Sequence, residues 1–295
     1  MKLRTLNLFS VASLRGHSAT VTFIVTMAVV LLAAPHASAG TVYWDPTGTA
    51  AGTGGSGTFS SSSVFWNPLQ AGTGTLQAEA STNTDNLVFE GTAGTVSQGG
   101  SISSTSFTFN TTGYTWTTTT GYRTLTGPVT LASGVNLNLA TQGSTGASLA
   151  FATSISGGVG STLTYVGVAN KQYTVDIKGG TISVPITVAG TGTLVGGDYM
   201  AFGNTSGAGV ISATIANSSS IPTTFSSTGT SGTQSLTLSG VISGSQGVNF
   251  ATMVAGYGSA TTQVSTTNGI IIVNAANTYT GDTRFIGTAG ASQST

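Results

Sequence analysis

The chain has 295 residues, of which only 5% are charged, against roughly 25% in an ordinary soluble domain. Gly (43), Ser (38) and Thr (55) make up 46% of it, so few long side chains are available to cover a core, yet regularly scattered Val, Ile, Leu and Phe argue against plain disorder. With no cysteine, thiol catalysis, Cys-ligated zinc and iron–sulfur clusters are excluded.

Residues 1–39 read as a secretory leader. Lys2, Arg4 and Arg15 form a basic start, an apolar stretch runs from Val21 to Ala34, Pro35 breaks it, and Ala37-Ser38-Ala39 follows as a small-x-small cleavage site. Cleavage is expected after Ala39. The alternative is an uncleaved anchor, but the apolar run falls short of the ~20 residues a spanning helix needs. No later segment could span a membrane as a helix, so the mature chain is expected to have no transmembrane helix.

Without the leader, Arg123, Lys171, Lys178 and Arg284 remain against Asp45, Glu79, Asp85, Glu90, Asp176, Asp198 and Asp282, a net charge of −3. Such a chain offers nothing to neutralise a row of phosphates, so no nucleic-acid partner is expected. Nor is there a basic face for anionic lipid.

Residues 40–115 hold all three tryptophans and the low-complexity stretch Gly48–Ser63, and read as an N-terminal cap with the first rungs of a solenoid. An uncapped solenoid would present a bare ladder edge. Gly52–Gly57 formally matches GxGxxG. A dinucleotide site needs a strand before that pattern and a helix after it; neither is expected, so the stretch reads as loop.

Residues 116–295 read as the solenoid body. No window after Gly40 supports a helix, because Gly or β-branched residues interrupt nearly every one. Period-two alternation recurs instead. It places Phe107 with Phe109; Val135 with Leu137 and Leu139; Leu163 with Tyr165; Tyr173 with Val175 and Ile177; Ile182 with Val184, Ile186 and Val188; and Leu236 with Leu238. Short strands so spaced fit either a sandwich or a solenoid; the small Thr, Ser and Asn between them, able to stack from rung to rung, and charges too sparse for two open sandwich faces favour the solenoid. Leu125–Leu137 also parallels Leu238–Phe250 with one gap, a degenerate internal similarity. About 20–25 residues per turn would give on the order of ten rungs.

Two segments resemble a known family. Tyr43-Trp44-Asp45-Pro46, then Val64-Phe65-Trp66-Asn67 and Asp85-Asn86-Leu87-Val88-Phe89, resemble the opening of large bacterial surface proteins with autotransporter-associated β-strand repeats. Leu236–Gly244, continued by Asn274–Thr283, resembles the repeat itself, in which an sGvIsG turn precedes an aNTYTGgT turn. The resemblance implies an all-β fold, a right-handed parallel β-helix (β-solenoid) with an N-terminal cap, exported to the cell surface as a passenger without catalysis. One repeat is recognisable, at 236–283. Residues 251–268 depart from the pattern as an insertion, and Asp282 stands where a second Gly is usual. The chain stops at Thr295, soon after that repeat, and so reads as an N-terminal portion whose anchoring element lies outside it.

Candidate chemistry is sparse. The mature chain has no histidine, which removes Ser-His-Asp triads and His-based metal sites. An enzyme on this fold would have to use carboxylates with Lys or Arg, and Asp176, between Lys171 and Lys178, with Asp198 nearby, is the candidate set. The competing reading makes them solvated loop charges. Asp45, Asp85 and Glu90 lack the spacing of calcium-binding solenoids. Trp44, Trp66 and Trp116, with Tyr114, are candidates for stacking on sugars, against a role as plugs of the solenoid end. The expected function is a non-catalytic exported structural or adhesive passenger with no cofactor, whose partners would be surface glycans or other cells. The alternative is a polysaccharide-cleaving or glycan-binding β-helix.

Overall fold

In a computed structural model, residues 40–48, 51–79, 83–118, 120–141, 148–168, 173–191, 200–227, 234–251 and 269–286 are described. The expected leader, Lys171, Asp198 and most of the expected insertion lie outside them. Residues 39–295 form one unit, and the described residues contain 27 strands and no helix.

The strands stack into three sheets of 11, 8 and 8. The chain visits the sheets in rotation, so each turn adds one strand to each. One full turn is Ser106–Phe109, Thr115–Thr118 and Tyr122–Thr126; the next is Val129–Leu131, Asn136–Thr141 and Ser148–Phe151. Apart from two pairings at the beginning, all the paired strands are parallel. The architecture is a β-solenoid, as the sequence led us to expect.

Alternation drives the winding. In Ser106–Phe109, Phe107 and Phe109 point inward and are buried, while Ser106 and Thr108 face outward. Each inward residue then stacks on its counterpart one turn away. Leu87, Phe107, Val129, Ile155, Ile182, Ile211 and Leu238 form one such column, and all are essentially inaccessible. Burial of each is worth about 1.5–3 kcal/mol, and the column repeats that gain every turn.

The outer face is hydrogen-bonded between rungs rather than charged. Asn136 Oδ1 accepts from Thr162 Oγ1 (2.8 Å) and Thr164 Oγ1 (2.9 Å), and Ser106 Oγ donates to Asn86 Oδ1 at 2.9 Å. Small polar side chains thus do what salt bridges would do on an ordinary surface.

Two expectations change. Turns are longer than expected toward the end: Phe107 follows Leu87 by 20 residues, whereas Val273 follows Leu238 by 35. Thr115–Thr118, at the division between residues 40–115 and 116–295, ladders to Thr95–Gln98 on one side and Asn136–Thr141 on the other, as rungs on both sides of it require. The internal similarity is out of phase by one sheet. Leu125 lies in the third sheet but Leu238 in the first, and Leu137 in the second but Phe250 in the third. The three faces demand nearly the same in–out pattern, so a shift by one face leaves the sequence pattern intact.

The beginning is built differently. Thr41–Trp44 pairs in parallel with Asn86–Phe89 on one side and antiparallel with Val64–Asn67 on the other. Val64–Asn67 pairs antiparallel again with Gln77–Ala78. An antiparallel strand at this edge interrupts the parallel register that the turns propagate.

Candidate functional site

The aromatic residues singled out in the sequence converge, but inward. Trp44, Trp66 and Trp116 are 0%, 0% and 1% exposed and Tyr114 is 0% exposed. Trp44 and Trp66 meet edge to face with centroids 5.3 Å apart, and Phe89 lies between them and Trp116, 5.5 Å from Trp66 and 5.3 Å from Trp116. The polar edges also turn inward: Trp44 Nε1 donates to the Gly55 carbonyl at 3.0 Å and Trp116 Nε1 to Gln98 Oε1 at 3.0 Å. No ring face among the three tryptophans is open to a sugar. Stacking on glycans by these residues is therefore corrected to packing of the first turns, because each sits at an inward position of its strand.

The loop matching GxGxxG is likewise structural. Gly54 has φ +95° and bridges in parallel to Thr92; a Cβ there would lie 2.2 Å from the Thr92 carbonyl oxygen. Glycine is needed for the close passage of two backbones.

Asp176 is not the solvated loop charge the competing reading supposed. It is 0% exposed, and every donor about it belongs to the fold. Oδ1 accepts from the Lys178 amide (2.9 Å) and the Thr205 amide (3.1 Å); Oδ2 accepts from Thr205 Oγ1 (2.5 Å) and from Tyr122 Oη. Lys178, at φ 49°, sits with Nζ 5.5 Å over the Tyr122 ring. One turn on, Asn204 repeats the theme: Oδ1 accepts from the Gly179 amide, and Nδ2 donates to the Gly207 and Ser235 carbonyls. A carboxylate held by four donors, with no open approach, has the geometry of a corner clamp rather than a general base. The sequence singled out Asp176 but missed Tyr122 and Thr205, which lie 54 and 29 residues away from it.

The remaining acidic candidates are spread over separate places. Asp45 is buried and accepts from Thr47 Oγ1 (3.1 Å), the Gly48 amide (3.0 Å) and Asn67 Nδ2 (3.0 Å). Glu90 Oε2 accepts from Asn110 Nδ2 at 3.1 Å. Asp85 accepts from the Gly40 amide. The three are not gathered about one point, and the described residues hold no group of three potential metal ligands.

The two halves of the recognised repeat meet. Asn277 Oδ1 accepts from the Ile242 amide (2.8 Å), the Thr278 amide donates to the Ile242 carbonyl (2.9 Å), and the Thr280 amide donates to the Gly244 carbonyl (3.1 Å). The NTYTG segment therefore runs along Ile242–Gly244 where the preceding turns place a regular strand. Gly281 passes so close that a Cβ would lie 2.2 Å from the Gly247 nitrogen. Tyr279 packs on the core and pairs through its hydroxyl with Thr283 Oγ1 at 2.6 Å.

A stretch of 87 residues, 29% of this chain, is 44% identical to the adhesin BmaC autotransporter of Brucella suis biovar 1 (strain 1330). The chain spans only 2% of the length of that relative. No family model matches the chain, and no solved structure matches it.

Proposed function

We propose that this chain is a stretch of an exported surface passenger: a stiff, non-catalytic β-solenoid that presents an adhesive surface. The likeness to an adhesin autotransporter carries this reading. The parallel solenoid, with its nearly uncharged, hydrogen-bonded exterior, supports it as a rod that stays folded without disulfides. In this reading the leader 1–39 is removed after Ala39, and the antiparallel strands Val64–Asn67 and Gln77–Ala78 act as the cap that ends the ladder.

Beads coated with the exported protein should be retained on cell monolayers or glycan-bearing matrix well above albumin-coated beads. Retention no greater than albumin on every surface tried, together with release of reducing ends from a polysaccharide, would replace adhesion by catalysis.

A further inference from the structure

Thr41–Trp44, the first strand of the solenoid, is entered through Gly40. The Gly40 carbonyl accepts from the Asn86 amide at 2.8 Å, and the Gly40 nitrogen donates to Asp85 Oδ1 at 2.7 Å. A second carboxyl, Glu79, lies against Asp85; it is 5% exposed and accepts from Gln77 Nε2 at 2.8 Å. Burial first, and then the neighbouring Asp85, pushes Glu79 above the ordinary glutamate value. Two facing carboxyls at a half-dry site either share one proton or are offset by a cation. Among the described residues the one ion pair is Arg284 with Asp282, far along the chain, so no described Lys or Arg supplies one.

We propose that the Asp85–Glu79 pair is a built receptor for the chain's own processed amino terminus, whose Gly40 α-ammonium forms an ion pair with Asp85 and so locks the first strand. The inference rests on removal of the leader after Ala39, as read above. Peptide-bond hydrolysis between Ala39 and Gly40 converts an amide with one N–H into an amine that is protonated at neutral pH, because an α-amino group ordinarily titrates near 7.7–8.0. The nitrogen need not move. It gains a positive charge and two further donors at a position already 2.7 Å from Asp85, and the charge also offsets the crowding of Glu79. The site then couples folding to export: the uncleaved chain favours a protonated Glu79 beside Asp85, and in the cleaved chain the ammonium lets both carboxyls ionise.

The full chain is expressed in a host that exports it, and the mature product is identified by mass. Its melting is compared with that of a variant carrying one extra alanine between Ala39 and Gly40, which moves the ammonium about 3 Å away. The product beginning at Gly40 should melt about 3 °C higher. The difference should vanish in the Asp85→Asn background. Equal melting of the two chains, or an undiminished difference in Asp85→Asn, overturns the ion pair. Should Asp85→Asn fail to fold, the native protein still decides: its α-amine should react with an acylating reagent at least about tenfold more slowly folded than in urea, and equal rates overturn the proposal. A product starting elsewhere than Gly40 refutes the cleavage reading instead. In that event the same melting comparison on chain trimmed to begin at Gly40 tests the ion pair alone.

Discussion

Asn67 donates through Nδ2 to Asp45 Oδ2 at 3.0 Å, and both side chains are wholly buried. The two residues follow Trp44 and Trp66, which face each other across the antiparallel pairing at the start of the fold. Asn67 Oδ1 also accepts from the Leu69 and Gly74 amides, while Asp45 accepts from Thr47 and Gly48. The Trp-Asp-Pro and Trp-Asn-Pro tripeptides are thus one device: each tryptophan fills the core, and the polar residue after it ties its own turn to the other.

Asn67→Ala should therefore cost more than a lost surface contact. It leaves a buried carboxylate short of a donor and two loop amides without an acceptor. We expect a loss of about 2–3 kcal/mol in urea unfolding of the mature chain, with little effect on the slope. A loss below about 0.5 kcal/mol would show that the two turns hold without the pair.

Along the third sheet, Phe202, Phe225, Phe250 and Phe285 stack turn upon turn with centroid separations of 5.9, 6.2 and 5.7 Å. Phe225 is 0% exposed and Phe285 is 63% exposed. Phe225→Ala should cost about 3–5 kcal/mol, and Phe285→Ala less than about 1 kcal/mol. Thermal melts of the two variants separate a graded column from one of uniform strength.

Gly54→Ala combines a backbone at φ +95° with a Cβ 2.2 Å from the Thr92 oxygen. A loss of about 2 kcal/mol or more is expected, read as faster hydrogen exchange around Thr92. Binding of dinucleotides should be absent in both forms.

Asp176→Ala strips the acceptor from Tyr122, Thr205 and the Lys178 amide at once. Its signature should be lowered melting with unchanged adhesion of the fraction that remains folded. Loss of a polysaccharide-cleaving activity at unaltered melting would instead restore the catalytic reading of this residue.

The chain with one extra alanine before Gly40 should show the titration of Glu79 in its stability. Glu79 holds its proton more tightly folded than unfolded, so above the ordinary value of 4.5 the folded state binds more protons, and stability falls as pH rises through that window. Glu79→Gln should flatten this dependence. Urea midpoints measured across about pH 4.5–7 provide the check.

The in–out pattern was legible in the sequence where apolar and polar residues alternate cleanly. Ile182, Val184, Ile186 and Val188 are all buried, as their alternation required, although the chain leaves the first sheet after Ile182 and enters the second at Ile186. Alternation is a local property, and it survives a corner because each side chain only has to choose between core and water. The same locality hid the phase. Leu125 and Leu238 share a pattern but lie on different sheets, since the pattern cannot say which of three similar faces it belongs to.

What the sequence alone determined was an all-β chain with a small-residue polar exterior; alternation suits a sandwich as well as a solenoid, and sparse charge together with the family resemblance favoured the solenoid. What only the tertiary structure decided was which polar residues lie in the dry interior. Asp45 with Asn67, and Asp176 with Tyr122 and Thr205, are joined across 22 to 54 residues. The number of residues in each corner sets which side chains come level one turn later, and no local pattern encodes that number. The tryptophans teach the same point, since a ring that could stack on a sugar and one that fills a core look alike until the strand's neighbours are known.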